Sequence, residues 1–220
     1  MTKKEKIRQM KKSLFSLYPN ALTELYYNTE FQLLVAIIMS AQSTDKQVNK
    51  INKYFFEVLK NPLDGVNLGE KKIKEFIKSI SFFNNKSHHI FETSRLLIEK
   101  YNSKIPSTLS ELVNLPGVGI KTAKVFLSII YRAPYLAVDT HVHRVLNRIG
   151  IVKTKTPLAT NNAIEKIFTA GDNVDLHHSL VLFGRYHCIA RKPKCLTCQL
   201  NKICDFYKKN IFPEKKDKSK

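Results

Sequence analysis

The chain has 220 residues, 43% of them hydrophobic and 25% charged, which is enough to bury a sizeable core and too apolar for a disordered chain. Only seven glycines are present, too few for the turn-rich strands of a sandwich or barrel. Thirty-seven Lys and Arg against 18 Asp and Glu leave a net charge of +19, so the expected partner is a polyanion, most simply nucleic acid.

The surplus has two parts. Residues 1–12 and 208–220 are lysine-rich ends that serve solubility, and the body between them remains basic. An anionic membrane is the other polyanion, but the N-terminal segment lacks the aromatic face of an interfacial helix. The longest apolar run, Leu33 to Met39, falls far short of the roughly eighteen residues that span a bilayer. No apolar stretch follows the basic start, so a secretory signal is not expected.

Apolar residues recur at helical spacing almost throughout, and alternating strand patterns are absent, so the predicted fold is all-α. In chain order, Thr29-Glu30-Phe31-Gln32 opens a helix to about Ala41 that is apolar on every side and therefore central. Thr44-Asp45-Lys46-Gln47 opens the next, with Val48, Ile51, Phe55 and Leu59 on one face. Helices follow near 70–79 and 85–101, and Thr108-Leu109-Ser110-Glu111 opens a short one with Leu112 and Leu115 inward. Further helices are expected near 119–132, 140–149, 158–170 and 174–187. Ala133-Pro134-Tyr135 breaks the helical pattern and is the expected crossing to a second unit.

Between two of these helices, Leu115-Pro116-Gly117-Val118-Gly119 holds two of the seven glycines. Glycine permits left-handed backbone and close approach of another chain, and amides freed at the following helix start form an anion site. A DNA phosphate fits such a site without regard to base sequence; an ordinary tight turn fits the pattern equally well. Lys121 sits in the first turn of the second helix, where the dipole disfavours a cation, and a neutral amine is what a nucleophilic lysine needs. Asp139, in Val138-Asp139-Thr140-His141, begins the next helix. Taken singly, Asp139 reads as a helix cap and Lys121 as a surface lysine. The histidines read as packing or hydrogen-bonding residues: His141 and His143 diverge on a helix, as do His177 and His178, and His88-His89 face solvent or phosphate.

All four cysteines, Cys188, Cys195, Cys198 and Cys204, fall in a C-x6-C-x2-C-x5-C array. Short spacing without a secretory signal favours a metal centre over disulfides. One C-x2-C pair is less than a zinc site usually offers, and the all-cysteine set leans toward a [4Fe–4S] cluster of structural rather than catalytic kind.

In this order the motifs resemble those of endonuclease III, a helix-hairpin-helix family of DNA glycosylase/lyases, over essentially the whole chain from about Pro19 to Tyr207. The hairpin with Lys121-Thr122-Ala123 matches the family's hairpin and lysine nucleophile. Ala137-Val138-Asp139-Thr140-His141 with Arg144 matches the segment of its essential aspartate, and Gly184-Arg185-Tyr186, Arg191-Lys192-Pro193 and the cysteines match its cluster loop. Ser40-Ala41-Gln42 resembles the segment whose glutamine fills the gap left by a flipped base.

The resemblance implies two helical domains flanking a DNA-binding cleft. Residues 23–134 would form a six-helix barrel with the hairpin, and 1–22 with 135–220 an iron–sulfur domain. It implies a bifunctional base-excision enzyme that removes oxidised pyrimidines from duplex DNA and then cuts 3′ to the abasic site through a Lys121 imine, with Asp139 assisting. Gln42, Phe82, Gly117, Val118, Gly119, Thr122, Arg144, Arg185 and Lys192 would meet DNA. Cys188, Cys195, Cys198 and Cys204 would hold one structural [4Fe–4S] cluster. A monomer in the bacterial cytoplasm, associated with the nucleoid, is expected.

Two departures stand out: Ile120 replaces an arginine common beside the lysine, and Ser81-Phe82-Phe83-Asn84 replaces a glycine-leucine-tyrosine loop, so Phe82 would stand in for a leucine wedge. The alternatives are a non-catalytic helix-hairpin-helix module with a structural metal and a mismatch-specific glycosylase of the same fold. The pairing of Lys121 with Asp139 speaks against the first, and Lys121 itself against the second, whose members lack a lysine at that position.

Overall fold

The computed structural model describes residues 1–165, 167–168 and 173–212. Every regular element among them is helical. The chain forms two compact units: Thr23–Ala133 is one, and Met1–Leu22 with the chain from Pro134 onward is the other.

In the first unit the central helix is α2, Glu30–Ser40, in which every residue from Phe31 to Met39 is buried. Around it pack α3 (Asp45–Val58), α5 (Phe83–Tyr101) and α7 (Ile120–Tyr131), while α4 (Pro62–Ile77) lies along α5 and the single turn α6 (Leu109–Leu112) leads into α7. Thr29, Thr44 and Thr108 each accept the backbone N–H three residues on, so these helices start where the sequence places them. The reciprocal halves of the expected capping boxes go elsewhere. Gln32 is 1% exposed, accepts from the Asn28 N–H at 2.8 Å, and donates to the carbonyls of Phe56 and Leu59 at 2.9 and 2.8 Å, thereby closing the C-terminal end of α3. The Gln47 amide likewise donates to the Ser79 carbonyl.

The helix expected near 70–79 begins earlier, at Pro62. Asn61 caps it in a two-way bond with Asp64, and proline occupies the first turn. Gly69, at φ +71°, kinks it, and only the half beyond the kink keeps the apolar spacing that made it visible in the sequence.

The second unit packs α1 (Lys3–Leu17) on α10 (Asn173–Tyr186), and α10, α9 (Pro157–Ile164) and α11 (Asp205–Asn210) on α8 (Thr140–Ile149). Its core joins Met10 and Leu14 of α1 to Val142, Val145, Leu146 and Ile149 of α8 and to Leu176, Leu180 and Phe183 of α10. The last residues of the helix expected over 158–170 and the basic tail beyond 212 lie outside the described residues.

Candidate functional site

The turn between α6 and α7 is fixed from below. Leu115 and Val118 are 2% and 4% exposed, and the Val118 N–H donates to the Leu115 carbonyl at 3.0 Å. Gly117 has φ +76°, and a Cβ there would stand 2.9 Å from the His89 ring. Thr93, fully buried, donates its hydroxyl to the Pro116 carbonyl at 2.9 Å. Gly119 then starts α7 with no side-chain cap, and the first intrahelical bond is from the Ala123 N–H to the Gly119 carbonyl. The amides of the first turn therefore have no partner within the helix, and that is the requirement for holding an anion. Of the expected trio Gly117, Val118 and Gly119, the middle amide is already bonded within the turn. Lys121 is exposed and Thr122 half-buried at the start of α7, which Ala123, Phe126 and Leu127 anchor in the core.

Gln42 and Phe82, in the same unit, are both exposed and both left-handed, with φ of 55° and 58°. A bulky side chain adopts that conformation only where its surroundings impose it, and such strain gathers at functional sites. Gln42 follows the last turn of α2. Phe82 precedes α5 and is 60% exposed, whereas Phe83 is half-buried with the Lys74 ammonium 5.7 Å from its ring centre. Lys86, one turn into α5, is 5% exposed. Its amine donates to the carbonyls of Met39 and Ala41 at 2.7 and 2.6 Å and to the Ser43 hydroxyl at 3.2 Å. Burial pushes its pKa down.

In the other unit, Asp139 caps α8 and accepts the Val142 N–H at 2.8 Å. Arg144, half-buried, donates to the carbonyls of Cys188 at 3.0 Å and Gly184 at 2.6 Å, and its guanidinium lies 3.2 Å from His141 Nδ1. Those bonds make it a bracket for the chain leaving α10. Arg185 is half-buried in the last turn of α10, and Lys192 is exposed with φ 51°. His143 bonds Thr160 at 2.6 Å, a structural role.

The four cysteines line one pocket together with Phe183, Pro193, Leu200 and Phe206. Burial pushes the thiols of Cys195, Cys198 and Cys204 up, Cys198 to about 11, and mutual repulsion of the sulfurs adds to it. Arg148 Nη1 lies 3.5 Å from Cys188 Sγ and the Leu200 N–H 3.4 Å from Cys198 Sγ, and backbone N–H groups of Phe206 and Tyr207 face the Cys204 sulfur. The same Arg148 donates to the carbonyls of Ile189 and Ala190 at 2.7 and 2.8 Å and lies over the Phe206 ring at 4.7 Å. Four thiols gathered in an apolar pocket, with N–H donors aimed at sulfur, are soft donors of the type that can take up a metal centre once they give up their protons. Among the described residues, no three His, Cys, Asp or Glu side chains converge on a single ion.

Residues 35–170 match the family described as HhH-GPD superfamily base excision DNA repair protein. Endonuclease III of Rickettsia conorii is 44% identical over 86% of this chain and 90% of its own length. That of Escherichia coli K12 is 40% identical over 87% and 90%. A solved structure of a trapped endonuclease III–DNA covalent intermediate superimposes with a TM-score of 0.89 at 37% identity, covering 96% of this chain and 99% of its own. The chain belongs to the endonuclease III family. Within that family frame, sequence reasoning missed Lys86 and Arg148. A lysine among polar neighbours signals a solvated side chain, and nothing local reveals that its amine closes a helix end 45 residues away. Arg148 was overlooked beside Arg144, although the spacing of four puts both on one face of α8.

Proposed function

We propose that this chain removes oxidised or ring-saturated pyrimidines from duplex DNA and then cuts the strand 3′ to the abasic site, using Lys121 as nucleophile and acting as a monomer at the bacterial nucleoid. Enzymes of the endonuclease III family are DNA glycosylases and AP lyases of base excision repair, and this chain is an enzyme of that class. The observation that carries the finer reading is the exposed Lys121 in the uncapped first turn of α7, directly behind the glycine hairpin.

A damaged base inside a duplex must be extruded before it can be attacked. Phe82 and Gln42 fill the gap, and amides at the hairpin and the start of α7 hold the backbone phosphate. Thr122 and the basic residues Arg185 and Lys192 add contacts to the strand, and Arg144 supports the segment next to them. The neutral amine of Lys121 attacks C1′ of the sugar. The N-glycosidic bond breaks with its electron pair going to the base, which takes up a proton, and the opened sugar becomes an imine on Lys121. The imine acidifies the C2′ proton, whose loss expels the 3′ phosphate by β-elimination. Asp139 accepts the lysine proton or balances positive charge on the sugar.

A [4Fe–4S] cluster held by Cys188, Cys195, Cys198 and Cys204 fits the donor set, and when bound it supplies a structural cross-link for the loop from 188 to 204. The division into a six-helix barrel at 23–134 and a cluster domain at 1–22 and 135–220 goes with that assignment.

The test is a borohydride trap on a duplex carrying thymine glycol. Wild type should form a covalent protein–DNA adduct, and Lys121→Ala should form none while still binding DNA. Normal strand cleavage by Lys121→Ala would refute the mechanism.

A further inference from the structure

We propose that Lys86 is a positioning residue for base extrusion: it fixes the Gln42 loop and the Phe82 turn to each other, so that both side chains enter the duplex as one rigid wedge. This rests on the reading of Gln42 and Phe82 given above. Nothing in the mechanism uses Lys86, and its burial keeps it off the DNA.

The geometry is specific. The Lys86 amine grips both flanks of Gln42, the Ala41 carbonyl on one side and the Ser43 hydroxyl on the other, and also takes the Met39 carbonyl at the end of α2. The two carbonyls are orphan acceptors at the C-terminus of α2, where a cation is favoured, and with the Ser43 hydroxyl they give the three ammonium donors three oxygens. The backbone of the same residue holds the other half of the wedge, because the Lys86 N–H donates to the Phe82 carbonyl at 3.0 Å in the first turn of α5. One residue thus binds the carbonyl of the αL residue Phe82 and brackets the αL residue Gln42. Filling this space with carbon would be simpler if packing were the only demand. A buried amine costs desolvation that its hydrogen bonds must offset, and here the groups it bonds belong to the loop that carries Gln42.

The arrangement predicts a defect confined to extrusion. Single-turnover excision of thymine glycol would be compared between a fully paired duplex and a single-base bulge, in which the lesion is already unstacked. Lys86→Met keeps the stem and removes the donors. It should slow excision from the paired duplex at least tenfold and from the bulge less than threefold. Ser43→Ala, which removes one acceptor and leaves the fold alone, should show the same split at smaller size. Equal losses on the two substrates, or no loss on the paired one, would overturn the proposal. If Lys86→Met does not fold, absence of the split in Ser43→Ala overturns it instead. Gln42→Ala and Phe82→Ala separate the two levels: if neither slows the paired duplex, the wedge reading fails and Lys86 falls with it. If they do and the Lys86 and Ser43 variants do not, only the role of Lys86 fails.

Discussion

The hairpin turn at 115–119 and the cysteine loop at 188–204 are both irregular chain at a helix end, and they are held by opposite means. The hairpin is held by the protein's own groups. Glycine stereochemistry sets its backbone, the Leu115 carbonyl takes the Val118 amide, and the face of α5 formed by His89 and Thr93 supports it from beneath. The cysteine loop has only short regular pieces, among them the single turn Asn201–Ile203. Arg144 and Arg148 hold its near end by donating to the carbonyls of Cys188, Ile189 and Ala190. Leu200 and Ile203 tie its far end to the core. Between them lie sulfurs whose thiol form is favoured by burial and by their mutual repulsion. A loop that must present amides to an anion can be built from glycine geometry and ordinary packing, with no bound group. A loop closed around a metal centre, as proposed for 188–204, would depend on that centre for its order.

The largest expected effect separates the two directly. On the cluster assignment proposed above, treating the protein with an iron chelator should lower amide-exchange protection across 188–204 by roughly 100-fold, about 3 kcal/mol of local stability, and leave 115–119 unchanged. Hydrogen exchange read by mass spectrometry decides it, and equal loss in both loops would erase the distinction. The next effect is smaller and falls on the hairpin. Gly117→Ala forces a left-handed residue against the His89 ring and should cost about 1–3 kcal/mol, read as the urea midpoint. Gly119→Ala, where φ is negative and nothing lies within 4 Å, should stay within about 0.5 kcal/mol of wild type. A Gly119 variant as unstable as the Gly117 one would mean that the turn is not held at Gly117.

The same contrast explains what the sequence reveals. Features that depend on neighbours along the chain are legible: the all-round apolar stretch of α2, the threonine caps, the paired glycines of the hairpin and the spacing of the cysteines. Features decided by distant partners are not. Gln32 looks like the third residue of a capping box, yet its amide serves carbonyls 24 and 27 residues away. Lys86 looks solvated and is buried under a loop 45 residues distant. The first half of α4 is a different miss. Asn61-Pro62-Leu63-Asp64 carries a readable helix start, and the left-handed Gly69 hides it by breaking the apolar period. For the candidate site, the hairpin glycines and the cysteines stand out by spacing, Gln42 and Phe82 only through the family resemblance, and Lys86 and Arg148, which hold neighbouring chain in place, through neither.

The smallest effect concerns pH at the hairpin. His89 has its pKa lowered, first by burial and then by the neighbouring His88, while a bond to Glu70 at 2.9 Å raises that of His88. The two signs oppose each other. A histidine with a lowered folded value loses nothing while both states are neutral, above about pH 6.5, and weakens the fold as pH falls below it, because the unfolded chain protonates first. His88 behaves in reverse: its contribution is present below about pH 6.5 and is lost as pH rises through its folded value. Between pH 7.5 and 5.5, wild type should therefore change little. His89→Gln should gain stability on acidification relative to wild type, and His88→Gln should lose it. Solvent access at His89 keeps its part to a few tenths of the about 1.4 kcal/mol per pH unit that a fully shielded group would give. Urea midpoints at the two pH values measure both variants, and parallel shifts in the two would show that the support beneath Gly117 does not depend on a neutral His89.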